Sequence, residues 1–349
     1  GIGPGIGPQI GPGIERGVSR LLAVLVALPF LAGGVTAALT ADRGEVVMTF
    51  SDPEVVESSG LVVRGGLLST INDSGDTGRV FTVALDGAEA GDTVGVTRFA
   101  ESPVDMEALA PAGPGEVWVG DIGDNGAARS SISVTRVPVG RGERSGTYPT
   151  FELVYADGPR DAETLLSHPR TGRLYVVSKQ IFGGVLYAAP RRLDPDRPNR
   201  LRPVADAIPI ATDGAFWPDG RHLVVRGYAR AVVYAWPSMR VVGDLSLPDQ
   251  DQGEGIAVTP DGRVLVSTEG QFTDVLEVRL PRDVRQAVEP TPEPAEPSTA
   301  AEGEADATDE TAAEDATTVG GLASLGFVMA VFVGLIALLG VVGWVVRRR

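Results

Sequence analysis

Between Glu45 and Leu280 the chain repeats one plan, and that repeat constrains the fold more than any other feature. Each copy carries one or two acidic residues, a small residue and a Leu, Ile or Phe. A turn follows, then a β-branched run that ends in polar groups. The clearest copy reads Gly253-Glu254-Gly255-Ile256-Ala257-Val258, then Thr259-Pro260-Asp261-Gly262, then Arg263-Val264-Leu265-Val266-Ser267-Thr268-Glu269. The same plan runs from Glu57 to Asp73, from Asp105 to Asp121, from Asp161 to Lys179 and from Asp213 to Arg226. The apolar anchors Leu61, Leu109, Leu165, Phe216 and Ile256 stand 48, 56, 51 and 40 residues apart.

A period of this size with strand–turn–strand content predicts an all-β chain folded as a β-propeller. Pro260-Asp261-Gly262 and Arg170-Thr171-Gly172 have the chemistry of tight turns, with Gly at the position that needs positive φ. Val185–Ala188, Val232–Ala235 and Val275–Val278 read as third strands. Five blades are readable. A sixth would sit in the longer spacings or close from a strand at Glu45–Thr49. A β-sandwich also has many short strands, but it gives no reason for acids to recur before every first strand.

Composition narrows the class. With 45 Gly, 26 Pro and 6% aromatics, the chain suits short strands and turns better than a helical bundle. It has no cysteine, so neither disulfides nor thiol chemistry enter. A net charge of −16 argues against nucleic acid as a partner.

The flanking sequence sets the expected domain plan. Residues 1–15 are a low-complexity Gly-Ile-Gly-Pro tract. Residues 16–41 read as a signal peptide, with Arg16 and Arg20 before the apolar run Leu21–Ala32; an uncleaved anchor is the alternative. The propeller is expected over 42–285 and a disordered acidic Pro/Glu/Ala/Thr stalk over 286–320. Residues 321–346 read as one transmembrane α-helix, with Leu322–Val346 free of charge, and Arg347, Arg348 and Arg349 as its cytoplasmic tail. That plan places the chain in the cell membrane as a single-pass protein, its N-terminal domain on the extracytoplasmic side.

Hairpin geometry turns the repeat into a candidate site. The start of each first strand and the end of each second strand lie at one end of an antiparallel pair. The acids of all copies therefore meet at one mouth. Like charges there repel unless a cation joins them, and oxygen-only donors point to calcium rather than zinc. The expected metal-ligating set is Glu57, Asp73, Asp105, Glu107, Asp121, Asp124, Asp161, Glu163, Glu254 and Glu269. The loops Asn72-Asp73-Ser74-Gly75-Asp76 and Gly120-Asp121-Ile122-Gly123-Asp124-Asn125 pack Asp and Asn against Gly, as cation-binding turns do. Asp and Asn beside Gly also cap turns through their own backbone. Lys179 and Arg226 supply part of the counter-charge. His168 and His222 fall at the opposite end, and no Gly-x-Ser-x-Gly or His-Glu-x-x-His motif occurs. An enzyme here would work with Glu107, Glu163, Glu254, Lys179 and a metal-activated water.

Glu254-Gly255-Ile256-Ala257 with Thr259-Pro260-Asp261-Gly262-Arg263, ending in Ser267-Thr268-Glu269-Gly270, resembles the exported phytase-like (esterase-like) propellers, as does Ile71-Asn72-Asp73-Ser74-Gly75. These belong to the TolB-like six-bladed superfamily. Asp105-Met106-Glu107-Ala108-Leu109 with Gly120–Asn125 is similar to actinobacterial membrane-anchored propeller proteins. The likeness covers roughly Glu45 to Leu280. It implies a calcium-bearing propeller and a hydrolase of phosphoesters, esters or lactones, with Glu57, Glu107, Glu163 and Glu254 as the acids of the channel mouth. The chain departs from the hydrolases in lacking a basic cluster for phosphate and the channel histidines of lactonases. The leading expectation is a binding or sensing module for an extracytoplasmic small molecule or protein; the alternative is a calcium-dependent hydrolase.

Overall fold

The computed structural model describes residues 44–73, 75–99 and 102–289. They form twenty-one strands, one 3-10 turn (Gly87–Glu89) and one short α-helix. The described residues open with β1 (Glu45–Thr49), followed by β2 (Ser58–Arg64), β3 (Leu67–Asn72), β4 (Arg79–Ala84) and β5 (Thr93–Phe99). Next come β6 (Met106–Gly113), β7 (Glu116–Asp121), β8 (Ile132–Pro138), β9 (Gly142–Gly146) and β10 (Thr150–Tyr155). Then follow β11 (Ala162–Ser167), β12 (Leu174–Ser178), β13 (Gly184–Ala188) and β14 (Asn199–Ala207). The last strands are β15 (Asp213–Phe216), β16 (His222–Arg226), β17 (Arg230–Ala235), β18 (Arg240–Ser246), β19 (Gly253–Val258), β20 (Val264–Thr268) and β21 (Asp274–Val278). Helix α1 (Arg282–Val288) buries Val284 and Val288 beside β18.

Turn chemistry sets the hairpins. Gly65 and Gly66 are the whole β2–β3 connection, with φ of +60° and +73°. Both values lie where only glycine sits without strain, and the matching turn twist fixes the register Arg64↔Leu67. Strands β2, β6, β11, β15 and β19 each lie against the next, and β19 returns to β2. Five apolar clusters fill the gaps between successive strand groups. One contains Ile122, Val134, Leu165 and Val176; another joins Met48, Phe81 and Leu265 across the first and last groups. At about 25 cal/mol per Å² of apolar surface, this burial is the main term holding the ring of strands together.

The expected fold of five or six separate propeller blades is corrected by the sheets. Hydrogen bonding gives four sheets, ordered β1-β21-β20-β19, β2-β3-β4-β5-β9, β15-β16-β17-β18 and β11-β12-β13-β14-β10-β8-β7-β6. The last has eight strands, and its edge strands β6 and β11 lie against each other, so it is nearly closed. The cause is the long spacing of 56 residues between Leu109 and Leu165, which leaves room for β9 and β10. β9 adds to β5 in parallel and widens the first sheet. β10 pairs with β8 and, in parallel, with β14 through Leu153↔Asn199 and Tyr155↔Leu201, fusing what the repeat reads as two units. Glu45–Thr49 starts no sheet of its own; it is the edge strand beside β21. Among the described residues no helix is long and apolar enough to cross a membrane. The segments read as signal peptide, stalk beyond Glu289 and transmembrane helix lie outside the described residues.

Candidate functional site

The pairs Ser58↔Asn72, Met106↔Asp121, Ala162↔Ser178, Asp213↔Arg226 and Gly253↔Thr268 all mark the same end of their hairpins. Four of these five hairpins carry a register shift at that end, between Ser59 and Leu61, Met106 and Ala108, Ala162 and Thr164, and Gly253 and Ile256. The residues thrown out of register are Gly60, Glu107, Glu163 and the pair Glu254-Gly255. A bulge re-aims the side chain it carries. Three of the acids therefore owe their place in the mouth to an irregular strand.

The tightest group is Asp73, Asp105 and Glu107. Each offers a carboxylate oxygen, and the three oxygens lie within 4.8 Å of one another. Ligands on opposite sides of a calcium ion bonded at 2.3–2.6 Å are separated by about that span. These residues could hold a metal ion. Asp105 and Asp73 are half-buried and Glu107 is buried. The backbone of Gly123 closes the group: a methyl there would stand 2.3 Å from Asp105 Oδ2 and 2.8 Å from Glu107 Oε1. Only glycine leaves those oxygens their space.

Next to this triad stand Glu163, Glu254 and Lys179. Lys179 Nζ donates to Glu163 Oε1 and lies 5.5 Å from the centre of the Tyr228 ring. The second oxygens of Glu163 and Glu254 are buried without a hydrogen-bond partner. Gln252 donates to Glu254 Oε1 at 3.4 Å and to Glu269 Oε1 at 2.5 Å. Glu57 and Glu269 bridge through their backbones at the rim.

Burial and mutual repulsion shape the charge of the mouth. Burial, then Glu163, Asp73 and Asp105, push the Glu107 carboxyl up to about 11 against the pull of Lys179. Burial and Glu254 push Glu163 up to about 8, although Lys179 draws it down. Burial raises Glu254 to about 7, with Lys179 opposing and Glu269 adding to the rise. Asp105, Glu57 and Glu269 also rise, each chiefly by burial and then by Asp73. Burial alone would lower Lys179, but Glu163 outweighs it and holds the ammonium charged.

Other expected residues are engaged in the frame of the mouth. Asp121 accepts the amides of Val104 and Asp105 at 3.0 and 2.9 Å and pairs with Arg129 at 2.9 Å. Asp124 accepts the amides of Ala128 and Arg129, and its own amide donates to Asp161 Oδ1 at 2.9 Å. Arg226 is fully buried and donates to the carbonyls of Gly255, Ser267, Gly227 and Tyr228, which ties the fourth strand group to the last. Asp213 beside it is fully buried and accepts the Ile256 amide at 2.8 Å.

Sequence reasoning missed Arg129, Gln252 and Tyr228. Arg129 binds the Gly123 carbonyl at 2.7 Å as well as Asp121, so it holds the loop behind the triad. None of the three sits at a repeating position, so the period carries no trace of them. A cavity of about 700 Å³ opens at the opposite end of the inner strands, lined by Leu109, Leu165, His168, Phe216 and Val258. It contains none of the mouth acids. His168 is buried there against Phe216, and its Nδ1 accepts the Arg170 amide at 3.2 Å. In comparisons with known proteins, no family model matches the chain and no curated protein matches it.

Proposed function

We propose that this domain is an extracytoplasmic binding or sensing module whose acidic mouth is organised by a calcium ion. The observation that carries the reading is the triad: three carboxylate oxygens within 4.8 Å, one on a buried glutamate, with the chain's only lysine engaged elsewhere. Arg129 and Lys179 ease the crowding at Asp105 and Glu107 only in part, and protons or a hard cation relieve it further. Oxygen donors without sulfur or imidazole favour calcium over zinc. The resemblance to calcium-bearing exported propeller proteins supports the same cation. The location outside the cell membrane rests on the terminal sequence segments.

A metal-dependent hydrolase of phosphoesters, esters or lactones is the second reading. Glu163 and Glu254, at about 8 and 7, sit where a general base or acid works near neutral pH. Against it, Lys179 is held protonated and is no nucleophile.

Thermal unfolding of the full chain, in EDTA and then with calcium, tests the first reading. A site with Kd near 10⁻⁴ M gives about 2.7 kcal/mol of stabilisation at a hundredfold excess, a saturable rise in Tm. The absence of any rise with calcium up to about 10 mM removes the cation. Turnover of a model ester or phosphoester that vanishes in EDTA would replace the binding module with the hydrolase.

A further inference from the structure

Large exposed hydrophobics are concentrated at the mouth. Of the eight among the described residues, five (Val104, Ile181, Phe182, Tyr228 and Phe272) stand in the loops at that end. The other three, Val46, Val204 and Val241, lie on β1, β14 and β18. Scattered exposed hydrophobics are ordinary; a ring of them around one opening marks an interaction surface. Phe182 is 100% exposed, and Phe272 is held at φ +58°, a conformation that costs an aromatic residue about 1 kcal/mol. Nothing among the described residues covers the Phe182 ring.

Inside this apolar rim lie buried carboxyl oxygens without hydrogen-bond partners. Glu163 and Glu254 are 5% and 4% exposed, and each has an Oε2 with no hydrogen-bond partner. The positive groups nearest them are already engaged, Lys179 with Glu163 and Arg226 with four backbone carbonyls. Buried acceptors of this kind need donors, and charged N–H donors suit them best. The surroundings of those donors must be apolar to fit the rim.

We propose that the mouth rim is a docking surface for a protein partner that inserts a lysine or arginine side chain, flanked by apolar residues, toward Glu163 and Glu254. The basic head supplies the missing donors while its flanks pack on Ile181, Phe182 and Phe272. Complementary charge at the centre sets specificity, and apolar area around it sets affinity. The acidic mouth repels an anionic lipid surface, which leaves the protein partner favoured over a membrane. The inference goes beyond the calcium reading and stands without it, because Glu163 and Glu254 lie outside the triad.

Fluorescence anisotropy with the full chain tests it, using three labelled short peptides. One carries lysine between phenylalanine and leucine, one has glutamate in place of the lysine, and one has lysine between serines. The first is expected to bind at least about tenfold more tightly than either other. Phe182→Ser, at a position that packs on nothing, should lower that affinity about tenfold with unchanged Tm, and added salt should weaken it. EDTA should leave it unchanged, which separates this result from the fate of the calcium site. Equal binding of all three peptides, or no binding of the first at about 1 mM, overturns the proposal. So does sedimentation of the chain with phosphatidylcholine vesicles that Phe182→Ser abolishes, which would make the rim a membrane surface.

Discussion

Replacing Glu254 with glutamine should stabilise the metal-free protein at alkaline pH. Glu254 is 4% exposed, its Oε2 has no partner, and burial raises it from 4.5 to about 7. The folded value is raised, so the group's contribution to stability is complete below 4.5 and is lost as pH climbs through about 7. At about 1.4 kcal/mol for each factor of ten, holding the ionised form costs the fold roughly 3 kcal/mol above that range. Glutamine keeps the shape of the protonated acid and cannot ionise. Its amide adds a donor that burial leaves short of partners, which offsets about 1 kcal/mol. The net gain is roughly 2 kcal/mol near pH 8 and roughly zero near pH 5. For a domain of this size each kcal/mol moves Tm by about 2–4 °C, so Tm in EDTA should rise by about 4–8 °C near pH 8. Thermal unfolding of Glu254→Gln and wild-type chains at both pH values is the assay. A destabilised variant near pH 8, or the same shift at both pH values, would refute the argument that buried negative charge strains the mouth.

Lys179→Met should destabilise the fold by about 3 kcal/mol near pH 10 in denaturant titrations, because it strands Glu163 without its cation; the loss should shrink toward pH 7 as Glu163, raised to about 8, takes up a proton. Gly123→Ala places a methyl 2.3 Å from Asp105 Oδ2 and should lower calcium affinity about tenfold or more, read by the calcium-induced Tm rise. Gly60→Ala sets a side chain at φ +67° with its Cβ 2.5 Å from the Leu109 amide nitrogen, and should cost roughly 3 kcal/mol in stability without calcium. Because Glu107 is pushed up to about 11 in the metal-free mouth, calcium has to displace its proton, so affinity should rise between about pH 6 and pH 9.

The sequence repeat made the mouth legible because antiparallel pairing is a strict consequence of two short strands joined by a tight turn. Glu107, Glu163 and Glu254 stand just before or within first strands, and Asp73, Lys179 and Glu269 just after second strands, so a hairpin brings them together whatever the details. What the repeat could not carry is the irregular part. The bulges at Glu107, Glu163 and Glu254 each add one residue to a strand and leave no signature in a period of about fifty. Nor did the spacing of 56 residues reveal that β9 would add in parallel to β5, or that β10 would pair in parallel with β14 and join strand groups into an eight-stranded sheet. Parallel pairing depends on contacts far apart in sequence, here Leu153 with Asn199. Asp121 and Asp124 look like cation ligands in sequence because a loop cap and a metal ligand use the same carboxylates beside glycine. The apolar rim at Ile181, Phe182 and Phe272 is invisible to the period because those loops differ in length and residue type from copy to copy.

The claim that Asp73, Asp105 and Glu107 take a hard divalent cation is tested most directly by calorimetric titration of calcium into the metal-free full chain near pH 8. The account predicts one saturable site with Kd of about 10⁻⁴ to 10⁻³ M, proton release on binding from Glu107, and loss of the site in Asp73→Asn. No saturable heat up to about 10 mM calcium, or an isotherm that Asp73→Asn leaves unchanged, would contradict it.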